Sequence, residues 1–199
     1  MKYIMLALFF MMAQIGLCDA KTYTIQRIGA WEAYEGTDDA GVPLCGVSNF
    51  GSDRGFMIKY WKGSAYLGIQ IFKNNWSIPA GLKVSIALRF DSYPQWDTTE
   101  ANVTPPNILQ TRIVGGIPQF LDEFAKSNNL YIYFPSGTEP PWQGGLTGTS
   151  VLTQTFARCI LELQGQPVPT QPYSQAPTQP FRGNAAPAPQ TSRSRQFDF

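Results

Sequence analysis

The sequence predicts a mostly β domain of the α+β class: an antiparallel β-sandwich or rolled sheet with two packed helices, followed by a disordered C-terminal tail. Short runs of alternating apolar and polar residues, typical of half-buried strands, dominate residues 21–165. Two stretches have helical spacing instead, and the composition changes sharply near Gln164. The chain length of 199 residues suits a single globular domain.

The first half of the domain is predicted to consist of strands. Residues 23–28 alternate and form a first strand, which residues 30–34 are expected to continue after a kink at Gly29. Residues 56–72 alternate on both sides of Lys62-Gly63-Ser64, and this pattern is typical of a hairpin.

The second half supplies a turn and further strands. Ile78-Pro79-Ala80-Gly81 is expected to turn, because proline and glycine favour the backbone angles that a turn requires. Residues 83–90, 108–114 and 130–134 are rich in the β-branched and aromatic residues of strands. The apolar side chains that share one face of the 83–90 strand are Val84, Ile86, Leu88 and Phe90.

Two helices are predicted from apolar spacing. The first follows Pro118, which is tolerated in a first helical turn. The second spans residues 150–163, and Thr149 or Ser150 is expected to cap its start. The side chains expected to face the core are Phe120, Leu121 and Phe124 in the first helix and Leu152, Phe156, Cys159, Ile160 and Leu163 in the second.

The N-terminus carries an apolar run that is too short to span a membrane. Lys2 precedes residues 4–17, which are almost entirely apolar, whereas a membrane-spanning helix needs about 20 such residues. The pattern is typical of a signal peptide, so we predict that residues 1–20 are removed and that no integral membrane segment remains. Two alternatives stay open, namely lipidation of Cys18 and retention of the run as an anchor.

Residues 166–199 form a tail that is rich in proline and glutamine. Such a segment buries too little apolar surface to offset the entropy of ordering it, so we expect disorder. A proline pair followed by an aromatic residue occurs twice in the tail, and this repeat suits either a spacer or a docking peptide. The terminal Phe197 and Phe199 are candidates for C-terminal docking into a partner, the alternative being a frayed end.

Cysteine usage points to a disulfide. Removal of the leader takes away Cys18 and leaves Cys45 and Cys159, and an even pair in an oxidising compartment is most simply bonded. The bridge would close a loop of about 114 residues and stabilise the domain by at most about 4–5 kcal/mol. A nucleophilic thiol is the alternative, although the chain has no histidine to activate one.

Composition excludes several classes of function. The chain contains 15 Lys and Arg against 14 Asp and Glu, so it lacks the basic face of a general nucleic-acid binder. Without histidine it cannot supply a Ser-His-Asp or Cys-His mechanism, nor a histidine-ligated zinc or haem. We therefore expect no catalytic residues, no metal and no cofactor.

Two residue classes remain as candidate sites. The clustered carboxylates could serve a hydrolase only if two of them faced one another at about 5–10 Å, and Asp38-Asp39-Ala40-Gly41 is better interpreted as a solvated turn. Flat tryptophan rings can stack on ligands, although they more often fill cores. Trp76 and Trp142 lie beside prolines in predicted loops, so we expect them to be the exposed pair and take them as candidates for contact with a ligand or partner, the alternative being a structural role.

The order of these features resembles the invasion-associated locus B family of exported Gram-negative envelope proteins. The similarity covers most of residues 30–163 and depends on an early tryptophan and cysteine, a central hairpin, a proline-glycine turn into a strand ending in aspartate, and a late L-x-G before the last helix. The matching positions are Trp31, Cys45, residues 56–72, Ile78-Pro79-Ala80-Gly81, Asp91 and Leu146-Thr147-Gly148. The resemblance implies a periplasmic or outer-membrane-associated protein linked to host-cell invasion.

Together these observations predict an exported, non-enzymatic binding module of the cell envelope, located in the periplasm, at the outer membrane or outside the cell. The expected partner is a protein in the envelope or on a host surface, and the tail would extend the reach of the domain. The alternative is a carbohydrate-binding domain or a hydrolytic domain based on carboxylates.

Overall fold

The computed structural model describes residues 20–98, 101–103 and 106–166, which form two antiparallel sheets and two helices. This confirms the predicted fold class. With elements numbered in chain order, the large sheet contains β1 Lys21–Ile28, β2 Trp31–Thr37, β3 Pro43–Phe50, β4 Arg54–Trp61, β5 Tyr66–Lys73, β6 Lys83–Val84, β9 Ala101–Val103 and β10 Ile108–Val114. The small sheet contains β7 Ala87–Phe90, β8 Trp96–Asp97, β11 Asn129–Tyr133 and β12 Trp142–Gly145, and the helices are α1 Ile117–Lys126 and α2 Thr149–Leu163.

The large sheet is a meander of five strands, β1 to β5, to which β10 is added at the edge formed by β5. Its strand order is β1-β2-β3-β4-β5-β10-β9-β6, and the small sheet has the order β12-β11-β7-β8. The first five strands pair with their sequence neighbours, and β10 then pairs antiparallel with β5. Six strands of seven or eight residues therefore form the main surface, and the short β9 and β6 extend its edge.

The hairpin β4–β5 and the turn at residues 78–81 are present as predicted. The hairpin turn contains Gly63, whose φ of 78° lies in the left-handed region that favours glycine. In the later turn the amide of Leu82 donates to the carbonyl of Pro79 at 3.2 Å, and Gly81 has a φ of 78°.

Two segments predicted to be continuous strands are each divided between two strands. Residues 30–34 do not continue the first strand, because Gly29 has a φ of 59° and the chain reverses so that Ile28 pairs with Trp31. Residues 83–90 are not one strand, because β6 pairs with β9 in the large sheet whereas β7 pairs with β11 in the small sheet. The buried side chains of Ile86 and the β7 residues nevertheless enter the same core.

Both helices lie where the spacing predicted them, and the apolar residues expected to face the core are buried except Leu163, which is partly buried. The expected cap of α2 was wrong. The N-cap is Gly148, with a φ of 92°, and no side chain caps the helix. The hydroxyl of Thr149 donates instead to the carbonyls of Leu146 and Phe124, at 2.8 and 3.0 Å, so it ties α2 to α1.

One hydrophobic core joins the two sheets and both helices. The ring of Trp31 lies edge-on to that of Phe124 in α1, with centroids 5.3 Å apart. Its indole N–H donates to the carbonyl of Gly145 at 2.8 Å, which connects β2 to β12. Phe90 in β7 packs edge-on against Phe120 at 5.1 Å. Since α2 packs against β1, β2 and β3, only one face of the large sheet is turned towards the core.

Candidate binding site on the outer face of the large sheet

The opposite side of the large sheet carries a register row that crosses five strands. Tyr34 in β2 pairs with Gly46 in β3, which pairs with Lys59 in β4, then Gly68 in β5 and Arg112 in β10. Because side chains alternate along a strand, this row points away from the buried residues that flank it. We call the surface around this row, on β2, β3, β4, β5 and β10, the outer face.

Aromatic rings on the outer face lie directly over glycines. A methyl group added at Gly68 would be 2.4 Å from Cζ3 of Trp61, and one added at Gly46 would be 2.5 Å from the hydroxyl oxygen of Tyr34. Glycine within a strand weakens the strand and marks a close approach by another group. The two glycines therefore hold the rings of Trp61 and Tyr34 against the sheet backbone.

A third glycine repeats this arrangement towards one end of the face. A methyl group added at Gly55 would be 2.1 Å from the ring of Phe72 and 2.8 Å from that of Phe50. The two rings are tilted together with centroids 5.4 Å apart, and Phe50 is 49% exposed. The outer face thus has aromatic rings over glycines at three positions, and at one of them the ring, that of Tyr34, is itself buried.

Lys59 is the cationic group at the middle of this face. It is half-buried, and burial lowers the pKa of its ammonium group, while the carboxylates of Asp39 and Asp38 oppose that shift. Among the residues that the structure describes, none forms an ion pair or a hydrogen bond with the ammonium group of Lys59. A partly desolvated ammonium without a partner is costly, so Lys59 is available to an external group.

A cleft of about 570 Å³ opens beside Lys59, a volume typical of small-molecule sites. Its lining comes from the start of β1, the β2–β3 turn and the strands β4, β5 and β10. On its floor the side-chain amide of Gln70 donates to the side-chain oxygen of Gln110 at 2.7 Å. The cleft is lined by both charge signs, amides and aromatic rings, among them Asp38, Asp39, Lys59, Trp61, Tyr66 and Gln70.

A larger apolar groove of about 700 Å³ lies between the two helices. Its walls include Leu121 in α1 and Ala157 and Ile160 in α2. Charged and amide side chains also line it, among them Asp122, Lys126 and Gln154, but its lining includes no aromatic ring on which a ligand could stack.

The structure brings Trp76 and Trp142 together, but not as an exposed pair. Their rings are stacked with centroids 5.3 Å apart and an interplanar angle of 24°. Trp142 is only 6% exposed, so its expected exposure was wrong, and Trp76 is half-buried. The reason is that both rings also pack against Phe134, and both indole N–H groups have a partner within the protein.

That partner is Glu139, a residue that the sequence analysis missed. Trp142 and Trp76 donate to its carboxylate at 2.8 and 3.1 Å, and Lys73 does so at 2.8 Å. Burial by itself would raise the pKa of Glu139, but the hydrogen bonds from Lys73 and the two indoles outweigh it, so the pKa lies below its usual value. This cluster stabilises the fold and leaves neither indole N–H free for a ligand.

Two of the clustered carboxylates, Asp38 and Glu32, have structural roles. Asp38 accepts hydrogen bonds from the amides of Ala40 and Val42 at 3.0 and 2.9 Å, so this segment is a turn, as expected. Glu32 pairs with Arg27, and the hydrogen bond from Arg27 lowers the pKa of Glu32. Within the described part of the chain, no group of three or more acidic or cysteine side chains could hold a metal ion.

Asp91 holds the start of β11. Its carboxylate accepts from the amides of Asn128 and Asn129 at 2.6 and 3.0 Å, and these hydrogen bonds lower its pKa. The carboxylate of Glu123 in α1, which is buried, accepts from the indole of Trp96 at 2.6 Å. Neither carboxylate lines the cleft.

Cys45 in β3 and Cys159 in α2 are both buried, and their side chains meet. The structure contains them as two thiols joined by a side-chain hydrogen bond. That hydrogen bond and burial raise the pKa of Cys45, and the carboxylates of Glu35 and Glu162 add to the shift. A raised pKa disfavours the thiolate form of Cys45, whereas the hydrogen bond with Cys45 lowers the pKa of Cys159. The disulfide and its alternative, a nucleophilic thiol, both stay predictions.

Several sequence predictions concern residues outside the described ranges. These include the signal peptide up to residue 19 with Cys18, and the tail from residue 167 with Phe197 and Phe199. In the described ranges, the structure has no helix that is both long and apolar enough to cross a membrane.

Comparison of the chain with family models, curated proteins and solved structures found no match.

Proposed function

We propose that this protein is an exported, non-enzymatic binding module whose binding surface is the outer face of the large sheet. The observation that carries the proposal is Lys59, a half-buried ammonium without a described partner, between two glycines over which aromatic side chains pack. The expected partner is a component of the cell envelope or of a host surface.

This arrangement has a local cost in stability. Gly46 and Gly68 weaken the strands that they interrupt, and Lys59 loses hydration without gaining an ion pair. Features that break local rules of stability concentrate at functional sites. The outer face therefore supports a role in binding better than a role in holding the sheet together.

The carboxylate chemistry of the chain supports binding over hydrolysis. Glu32 and Glu139 are engaged by cations, Asp38 and Asp91 hold backbone turns, and a glycosidase needs two facing carboxylates that act on a substrate. The predicted export signal, the cysteine pair and the resemblance of the sequence to the invasion-associated locus B family support the proposed location in the envelope.

Site-specific photo-crosslinking tests the proposal. A photoreactive side chain would replace Val114, which is exposed at the end of β10 on the outer face, and in a matched control it would replace Val151, which is exposed on α2. We expect adducts with envelope components from position 114 only. Adducts from position 151 alone, or from neither position, would contradict the proposal.

A further inference from the structure

We propose that the cleft beside Lys59 binds a sugar ring of an oligosaccharide, with the ring stacked against Trp61 and its hydroxyl groups bonded to the polar floor. This inference rests on the proposed function, because it names the ligand class of the same surface. Two independent features of the cleft support it: a preorganised aromatic wall and a mixed set of donors and acceptors.

The aromatic wall is fixed before any ligand arrives. Gly68 lets the ring of Trp61 lie against the sheet, and the ring of Tyr66 lies beside it with centroids 6.4 Å apart. The guanidinium of Arg112 lies over Tyr66 at 4.4 Å and restrains it further. A sugar has an apolar face of C–H groups that suits such a wall, and little side-chain freedom would be lost on binding.

The polar groups of the cleft match the hydroxyl groups of a sugar better than they match a ligand with a single charged group. Lys59 only donates, the carboxylate of Asp39 only accepts, and the Gln70–Gln110 pair leaves an amide N–H and a carbonyl oxygen for further bonds. A hydroxyl both donates and accepts. Neighbouring hydroxyls on one sugar ring can therefore satisfy all of these groups together.

Other ligand classes fit this set less well. Phosphates of a nucleic acid would meet the carboxylates of Asp38 and Asp39 on the rim. A wholly apolar peptide would cover Lys59 and leave its ammonium buried without a partner. The volume of about 570 Å³ suits a small polar ligand rather than a helix or a strand.

The test uses an array of purified bacterial and host oligosaccharides, followed by calorimetric titration of the full-length secreted protein with the oligosaccharide bound most strongly. We expect Trp61→Ala and Lys59→Met each to weaken binding by about tenfold or more. The matched controls are Tyr93→Ala, an exposed aromatic elsewhere, and Lys62→Met, an exposed lysine in the β4–β5 turn. These controls are expected to bind like the wild type.

A fluorescence measurement guards against loss of folding in the Trp61→Ala variant. Trp61→Phe keeps a ring over Gly68, so it is expected to bind while losing the change in indole emission that the oligosaccharide causes in the wild type. An emission change that persists in Trp61→Phe would place the sugar elsewhere and overturn the inference.

The two proposals fail in different ways. A protein adduct from position 114, combined with no binding to any oligosaccharide on the array, would overturn the sugar inference and leave the binding module intact. The sugar inference is also overturned if an oligosaccharide binds equally to the wild type, Trp61→Ala and Lys59→Met.

Discussion

Substitution of Gly46 by alanine is the sharpest test of how the outer face is built. The new methyl group would lie 2.5 Å from the carbonyl oxygen of Ile58 and 2.5 Å from Oη of Tyr34. The carbonyl belongs to the backbone of β4, so it cannot withdraw without disturbing the β3–β4 ladder. Overpacking of this kind costs about 1–3 kcal/mol, and a strained ladder hydrogen bond adds about 1 kcal/mol.

The matched control is Gly144→Ala, in which the new methyl group has no atom within 4 Å. Since alanine restricts the unfolded chain, this control is expected to be neutral or to stabilise by up to about 1 kcal/mol. Gly46→Ala should therefore be less stable than Gly144→Ala by about 3 kcal/mol in urea denaturation followed by circular dichroism. A difference smaller than about 0.5 kcal/mol would refute the close contact between Gly46 and its neighbours.

Three further predictions concern other parts of the fold. Glu139→Gln is expected to lower the free energy of unfolding by about 2–3 kcal/mol in urea denaturation at pH 7. Because the pKa of Glu139 is lowered in the folded state, the difference in free energy of unfolding between the wild type and Glu139→Gln should shrink as the pH falls below about 4.5, the ordinary glutamate range. A difference that grows with falling pH would contradict this prediction. Denatured, non-reduced secreted protein should contain no free thiol if Cys45 and Cys159 are bonded, and two free thiols would disprove the bond. Trp31→Phe, which removes the hydrogen bond to Gly145, should lower the free energy of unfolding by about 1–2 kcal/mol. An unchanged midpoint of urea denaturation would contradict a stabilising role for this hydrogen bond.

Elements whose signals are local could be predicted from the sequence. The β4–β5 hairpin alternates on both sides of a glycine turn, and α2 repeats its apolar residues with helical spacing. By contrast, β3 has a central position between β2 and β4 and is buried on both faces. A strand of that kind loses the alternation that reveals strands in a sequence, so Pro43–Phe50 was missed.

The candidate site was hidden because it depends on pairing between strands. Trp61 occupies the outward phase of β4, opposite the inward Phe56, Ile58 and Tyr60. A large aromatic residue in that phase, with Gly68 across the hairpin, was a signal that could have been used. Trp142 was misjudged because its neighbouring prolines indicate a loop, whereas Glu139, three residues earlier, fixes its indole.

Hydroxyl-radical footprinting would test the central claim, that the outer face binds the partner, most directly. Met57, Trp61 and Tyr66 are oxidisable residues on that face, and Tyr93 is an exposed control outside it. In the presence of cell-envelope extract, we expect slower oxidation of the three outer-face residues and an unchanged rate at Tyr93. Protection of Tyr93 with no protection of Met57, Trp61 or Tyr66 would contradict the account.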